Sequence, residues 1–343
     1  MIMSFIESNL ADIWLLLIGF FLLYYAITDG AGLGIGIWSL ATRDEKTRQA
    51  MMGSISHTWH ASQTWLVILG GMLFGAFPLF YSIVLSALYI PILLMLTGLI
   101  FRGVSFDFHE RSRHKSFWLY VFGLGSLIVT LAQGFALGGL LGGLDLRDSH
   151  FSGSVWSWAT PYSTLVAGGL FCGYLMLGAN YLIARTTGKL QERSYRLAWL
   201  AGLLTLTVTS AVHVLTGVHH PEMADKMRLS SGIYLPLMLS ITGVCFLMFF
   251  RSLIKRHQFA PYFWNSSIII LSFTALSIGL YPNMIPGTQS SALTVQAAAA
   301  SPLTLKFMLV MTAILLPVIL AYTSYSYWIF RGKTDSKGYK LDE

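Results

Sequence analysis

Long uncharged apolar runs alternate with short polar stretches along the whole chain. A window of ~19 residues separates nine runs, at about Ile13–Trp38, Met52–Phe74, Tyr81–Phe101, Phe117–Leu141, Pro161–Ala184, Leu197–Val218, Gly232–Phe250, Pro261–Leu280 and Leu303–Ile329. Each is long enough to cross ~30 Å of hydrocarbon at ~1.5 Å per helical residue. A helix satisfies its own backbone polar groups where no water is present to do so. The pattern therefore predicts an all-α polytopic membrane protein with nine transmembrane helices. Residues 1–343 read as a single integral membrane domain, which topology arithmetic divides into two four-helix bundles plus one extra helix.

Composition narrows the class. Of 343 residues, 55% are hydrophobic and 11% charged, against roughly 25% charged in ordinary soluble proteins. So few charges do not cover two soluble domains. The distribution of charge then sets an orientation. The segments after the odd-numbered runs hold 18 of the 22 lysines and arginines, in groups such as Arg43, Lys46 and Arg48 after the first and Arg185, Lys189, Arg193 and Arg196 after the fifth. The opposite side holds Arg147, Lys226 and Arg228, with Lys306 near the outer end of the last run. The positive-inside rule puts the N-terminus in the periplasm and the C-terminus in the cytoplasm. The net charge of +7 is thus topogenic, and nucleic acid is excluded as a partner. No basic residue precedes the first run, so that run is expected to be a retained span rather than a cleaved signal peptide. Cys172 and Cys245 both lie inside apolar runs and read as small buried hydrophobes.

An ionisable group inside a span is costly and marks a candidate site. Asp29 is the clearest, in Thr28-Asp29-Gly30-Ala31-Gly32-Leu33-Gly34-Ile35-Gly36. It reads either as a helix-packing acid or as a proton-handling group. The alternating glycines follow no strand and are not a dinucleotide fingerprint. In a span they admit a neighbouring backbone, with Gly30 and Gly34 on one face. The second run carries His57 and His60, whose spacing of three predicts one helical face. His213 lies in the sixth run. These histidines could relay protons, bond a neighbouring helix or, if His213 were paired across, bind haem. Asp29 and the pair His57 and His60 are each expected roughly 8–12 Å in from the cytoplasmic side, where they could meet. Arg102 closes the third run. It reads as an interfacial arginine whose head reaches toward water, or as a buried partner for a carboxylate or another subunit.

These segments together resemble subunit II of cytochrome bd-type quinol oxidases over nearly the whole chain. The likeness runs through Thr28-Asp29-Gly30, Trp59 and Trp65, and Leu73-Phe74-Gly75-Ala76-Phe77-Pro78. It continues through Gly98-Leu99-Ile100-Phe101-Arg102-Gly103-Val104, His220-Pro221-Glu222, Tyr281-Pro282-Asn283-Met284-Ile285-Pro286, and Tyr322 to Lys333. It is greatest to the cyanide-insensitive branch. The resemblance implies a bacterial inner-membrane respiratory complex that oxidises quinol and reduces O2 to water. The partner, subunit I, would carry haem b and haem d, and this chain would ligate neither haem nor metal. A small single-span accessory subunit, and a quinone or lipid bound to this chain, are compatible with the resemblance. Asp29, His57 and His60 become the candidate proton path from the cytoplasm. Trp59, Trp65, Arg102 and Asp107 become interface or structural residues, and no residue is catalytic.

Two departures matter. The family's first-span motif carries a second acid where this chain has Gly32, and its second-span motif carries an acid where this chain has His60. A path copied from the family therefore lacks two carboxylates, unless imidazoles stand in for them. Two readings from other classes compete: a secondary transporter, which usually shows broken spans and polar groups at the midplane, and a stand-alone membrane b-type cytochrome. The first finds little to couple to in one intramembrane acid. The second needs more ligand-grade histidines than three.

Overall fold

The computed structural model describes residues 8–148, 150–219, 234–286, 292–330, 332–335 and 338–339. The His220-Pro221-Glu222 motif, the start of the seventh run at Gly232, and Asp225, Lys226, Arg228, Arg331, Lys337 and Lys340 lie outside them.

The described chain is built of helices: α1 (Leu10–Leu40), α2 (Glu45–Gly53), α3 (Trp59–Ala76), α4 (Pro78–Ala87), α5 (Tyr89–Arg111), α6 (Lys115–Leu141), α7 (Pro161–Arg185), α8 (Gly188–His219), α9 (Tyr234–Ile254), α10 (Ala260–Leu280), the single turn α11 (Val295–Ala298) and α12 (Pro302–Ile329). Three small antiparallel strand pairs decorate the loops: Leu146–Arg147 with His150–Phe151, Asn283–Ile285 with Leu293–Thr294, and Thr334–Asp335 with Gly338–Tyr339. Among the described residues, 8 helices (α1, α5 to α10 and α12) are long and apolar enough to cross a membrane, or 9 spans if the bent pair α3 and α4 is taken as one.

That bend corrects the second and third runs. The axes of α3 and α4 differ by 119°, and the break falls at Phe77-Pro78, with Phe77 at φ −133, ψ 63. A proline disfavours the helical conformation of the residue before it and then starts the next helix well. Tyr81 to Ala87 therefore belong to a short turned helix, and the third span starts at Tyr89. Pro91, with no N–H to pair with Ala87, falls in its first turn. At the other end α5 continues nine residues past Arg102, to Arg111, so Arg102 does not close it. The second run also starts later than its composition suggests. Met52 and Gly53 end α2, residues 54–58 form turns, and α3 begins at Trp59. Asp44 caps α2, accepting from the Thr47 hydroxyl and backbone N–H, and these bonds hold its carboxyl below the usual carboxylate range.

Two apolar cores stack along the membrane direction. One joins the C-terminal half of α1 to parts of α5 to α10 on the basic side. The other joins the first half of α1 to α3, α4 and the residues Met284, Ile285, Leu293, Val295, Ala298 and Leu305. Helix α1 passes through both, and its burial pattern changes midway. In its first half Leu10, Trp14, Ile18, Phe21 and Tyr25 form one buried stripe at helical spacing, whereas every residue from Asp29 to Ser39 is buried. From Asp29 onward α1 is enclosed on all sides. Tyr174 to Arg185 of α7 are likewise all buried. Asp29 stands at the junction of the two cores.

Candidate functional site

Enclosure explains the glycines of α1. Together they leave room for three neighbouring helices. A Cβ at Gly30 would come within 2.6 Å of the Tyr174 ring of α7, one at Gly32 would meet the Arg102 guanidinium of α5, one at Gly34 would strike the Tyr174 carbonyl, and one at Gly36 would strike Ser126 of α6. Close approach of backbones at such positions is how spans pack without a hydrophobic driving force between them.

Within this collar Arg102 Nη1 donates to Asp29 Oδ1 at 2.6 Å, with both side chains 1% exposed. Arg102 is thus a buried partner for a carboxylate, and the interfacial reading of it is overturned. The reason is tertiary. Helices α5 and α6 touch backbone to backbone beside it, a Cβ on Gly125 lying 2.8 Å from the Gly98 carbonyl and 3.1 Å from the Arg102 nitrogen. The guanidinium is thereby turned inward against α1. It occupies the space that Gly32 leaves.

Next to the pair lies a small polar cavity of about 10 Å³, lined among others by Thr58, Ser62, Tyr181 and Tyr327. Its size and polarity suit about one water molecule. Asp29 Oδ2 and Arg102 Nε are buried and have no protein partner. Ser62 Oγ and Tyr327 OH lie 3.0 Å apart across α3 and α12, and Tyr181 OH donates to the Ser54 carbonyl at 3.5 Å. On the far side of Asp29, Gln133 Nε2 donates to Tyr25 OH at 2.7 Å and Tyr174 OH donates to Gln133 Oε1 at 3.0 Å. Polar groups thus line both sides of the pair along the membrane direction. Sequence reasoning missed Tyr25, Ser62, Gln133, Tyr174 and Tyr327. Gln133, alone amid an apolar run, was the one visible signal.

The histidines are placed differently from the expectation. His57 lies in the turns before α3, so a spacing of three does not put it on a helical face with His60. It is exposed, and its ring stacks on Phe330 at 4.7 Å. His60, second residue of α3, is also exposed and stacks on Trp59 at 3.6 Å. Neither lines the cavity, whereas Thr58 and Trp59 between them do. The structure brings this segment to Asp29 but turns both imidazoles away. Trp59 also stacks on Phe106 at 5.0 Å. Trp65 is wholly buried among Phe20, Phe21 and Tyr24. Asp107 is exposed on α5. His213 Nδ1 lies 2.8 Å from the Thr209 carbonyl of its own helix, and both cysteines are buried. Among the described residues no three His, Cys, Asp or Glu side chains converge as a metal site would require.

Comparison with known proteins adds to this geometry. A family model described as "Cytochrome bd terminal oxidase subunit II" matches residues 10–330. The sequence is 30% identical over 358 residues to the cytochrome bd-I ubiquinol oxidase subunit 2 of Escherichia coli (strain K12), covering 94% of each chain. It is 27% identical over 342 residues to the cytochrome bd ubiquinol oxidase subunit 2 of Bacillus subtilis (strain 168), covering 96% of this chain and 98% of the relative. Among solved structures, a chain of the bd oxidase from Geobacillus thermodenitrificans superposes with a TM-score of 0.77 at 19% identity, over 93% of this chain and 98% of that one. That last likeness speaks for the fold.

Proposed function

The chain belongs to the cytochrome bd terminal oxidase subunit II family, and from that premise we propose that it is the haem-free half of its complex, bracing a haem-bearing subunit I. It is an integral membrane subunit of a quinol:O2 oxidoreductase. The observation that carries the bracing role is the Asp29–Arg102 pair. In a span already enclosed by its own neighbours, the one buried acid is tied to a fixed cation, which suits a rigid scaffold. Membership of that family is what supports haem b and haem d residing in subunit I. The test is a visible spectrum of this chain purified apart from its partner. No Soret band is expected, and a haem spectrum carried by this chain alone overturns the assignment.

The finer reading has four parts. The chain forms a single membrane domain of nine spans, α3 supplying the ninth, in two four-helix bundles and one extra helix. Its basic side faces the cytoplasm of a bacterial inner membrane, by the distribution of lysine and arginine, and labelling a cysteine at Ser152 from outside intact cells tests this. The chain sits on the cyanide-insensitive branch, which its sequence motifs resemble, and cyanide titration of O2 uptake is the check. A small accessory subunit completes the complex and is sought by co-purification. The structural roles proposed for Trp59, Trp65 and Arg102 follow from their burial, and an interface role for Asp107 from its exposure.

One observation favours a second role. The cavity beside Asp29 is lined by Thr58, Trp59 and Ser62, neighbours of His57 and His60. A proton path from those imidazoles would enter there. Proton uptake by the complex is expected to fall several-fold in His60→Ala if the imidazole relays protons near neutral pH. Uptake at the wild-type rate counts against the path.

A further inference from the structure

An open groove of about 830 Å³ lies at the start of α8, lined by Gly188, Lys189, Glu192, Arg193, Arg196 and Leu197. Lys189, Arg193 and Arg196 follow at spacings of four and three, so they share one helix face. Glu192 feels the charge of Arg196, but its direct partner lies elsewhere. It forms a two-point ion pair with Arg256, which also lies over the Tyr195 ring at 4.9 Å. Arg193 reaches the Ala41 carbonyl at 3.4 Å, and no carboxylate is paired with any of the three cations among the described residues. The groove therefore presents three positive charges with its own acid already neutralised.

The same face changes character along the helix axis. After Arg196 come the half-buried Leu197 and then the exposed Trp199, Leu200, Leu203 and Leu204. Trp199, packed on Phe250 at 4.8 Å, stands at the boundary between charge and hydrocarbon, where amphipathic rings concentrate. Cations first, an aromatic next and leucines beyond is the order in which a phospholipid presents its phosphate, its glycerol backbone and its acyl chains. We propose that this groove binds one anionic phospholipid, its phosphate held by Lys189, Arg193 and Arg196 and its chains lying along Leu200, Leu203 and Leu204. Basic pockets at the membrane surface between spans recognise anionic headgroups in this way. The leucine stripe favours a lipid over free phosphate, which would use only the charged end.

Native mass spectrometry of the intact detergent-solubilised complex tests this, with three added probes: phosphatidylglycerol, phosphatidylcholine of the same chains, and the water-soluble headgroup glycerophosphoglycerol. Wild type is expected to hold one phosphatidylglycerol that the triple variant Lys189→Gln, Arg193→Gln, Arg196→Gln binds on the order of 100-fold more weakly, since each surface cation contributes about a factor of five. Arg193→Lys, Arg196→Lys is expected to retain it. An unchanged haem spectrum of the variant complex confirms assembly. Equal phosphatidylglycerol binding by the triple variant, equal binding of phosphatidylcholine at this site, or full displacement by glycerophosphoglycerol would each overturn the proposal.

Discussion

Replacing Arg102 by methionine is expected to leave little assembled complex, and what assembles is expected to melt well below wild type. The guanidinium is the cation bonded to Asp29, and both side chains are 1% exposed. Removing it leaves a carboxylate whose two oxygens are both unpaired, in a collar formed by α1, α5, α6 and α7. Breaking a buried pair by removing one partner typically costs about 3–5 kcal/mol, against a total stability on the order of 5–15 kcal/mol for a protein domain. The charge argument is separable from packing. The double variant Asp29→Asn, Arg102→Met removes both charges and is expected to recover most of the lost stability, while Asp29→Asn alone leaves an uncompensated cation and is expected to fare nearly as badly as the arginine variant. Melting of the purified complex, followed by loss of its haem absorbance, measures all three. If Arg102→Met melts like wild type, the pair contributes nothing. If the double variant fails to recover, Arg102 acts by filling the space beside Gly32 and not by its charge.

The same residue shows what was legible in the sequence. A hydropathy window ends a span at its first charge, so it stopped the third one at Phe101 and left Arg102 at an interface. The helix runs on because the compensating acid lies 73 residues earlier in the chain, a distance no local window spans. Asp29 itself was visible, being the one acid amid an apolar run, and so were the glycines around it. Which neighbouring helix each glycine meets was not, because that depends on how α5, α6 and α7 are set around α1. Composition was also blind to the bend between α3 and α4, since both sides are apolar, although Pro78 announced it. The histidines failed for another reason. A spacing of three implies a shared face only inside a helix, and residues 54–58 are turns. Gly53-Ser54, a common helix stop, was the clue. Tyr25, Gln133 and Tyr174 meet only through the packing of α1, α6 and α7.

Adding one carbon at Gly34 is expected to be the most damaging small change in the chain. A Cβ there would fall on the carbonyl of Tyr174, and a Cβ at Gly178 would come within 2.6 Å of the Gly34 backbone. The obstacle on each side is main chain in the middle of a long helix, so no side chain can swing aside to make room. One turn further on, Trp38 Nε1 donates to the Leu175 carbonyl at 2.8 Å, which fixes how close the two helices must lie. Overpacking usually costs about 1–3 kcal/mol where neighbours can relax, and here Gly34→Ala is expected to reach or exceed the top of that range. Gly71→Ala is the matched control, because nothing lies within 4 Å of its Cβ position, and it is expected to melt like wild type. Separating α1 from α7 at Gly34 also moves Gly30 from the Tyr174 ring and shifts Asp29 relative to Arg102. Gly34→Ala and Arg102→Met are therefore expected to be less than additive when combined, since each loosens the other's contact. Independent losses in the double variant would mean that the backbone crossing and the ion pair are separate supports, and that Asp29 owes its position to α5 alone.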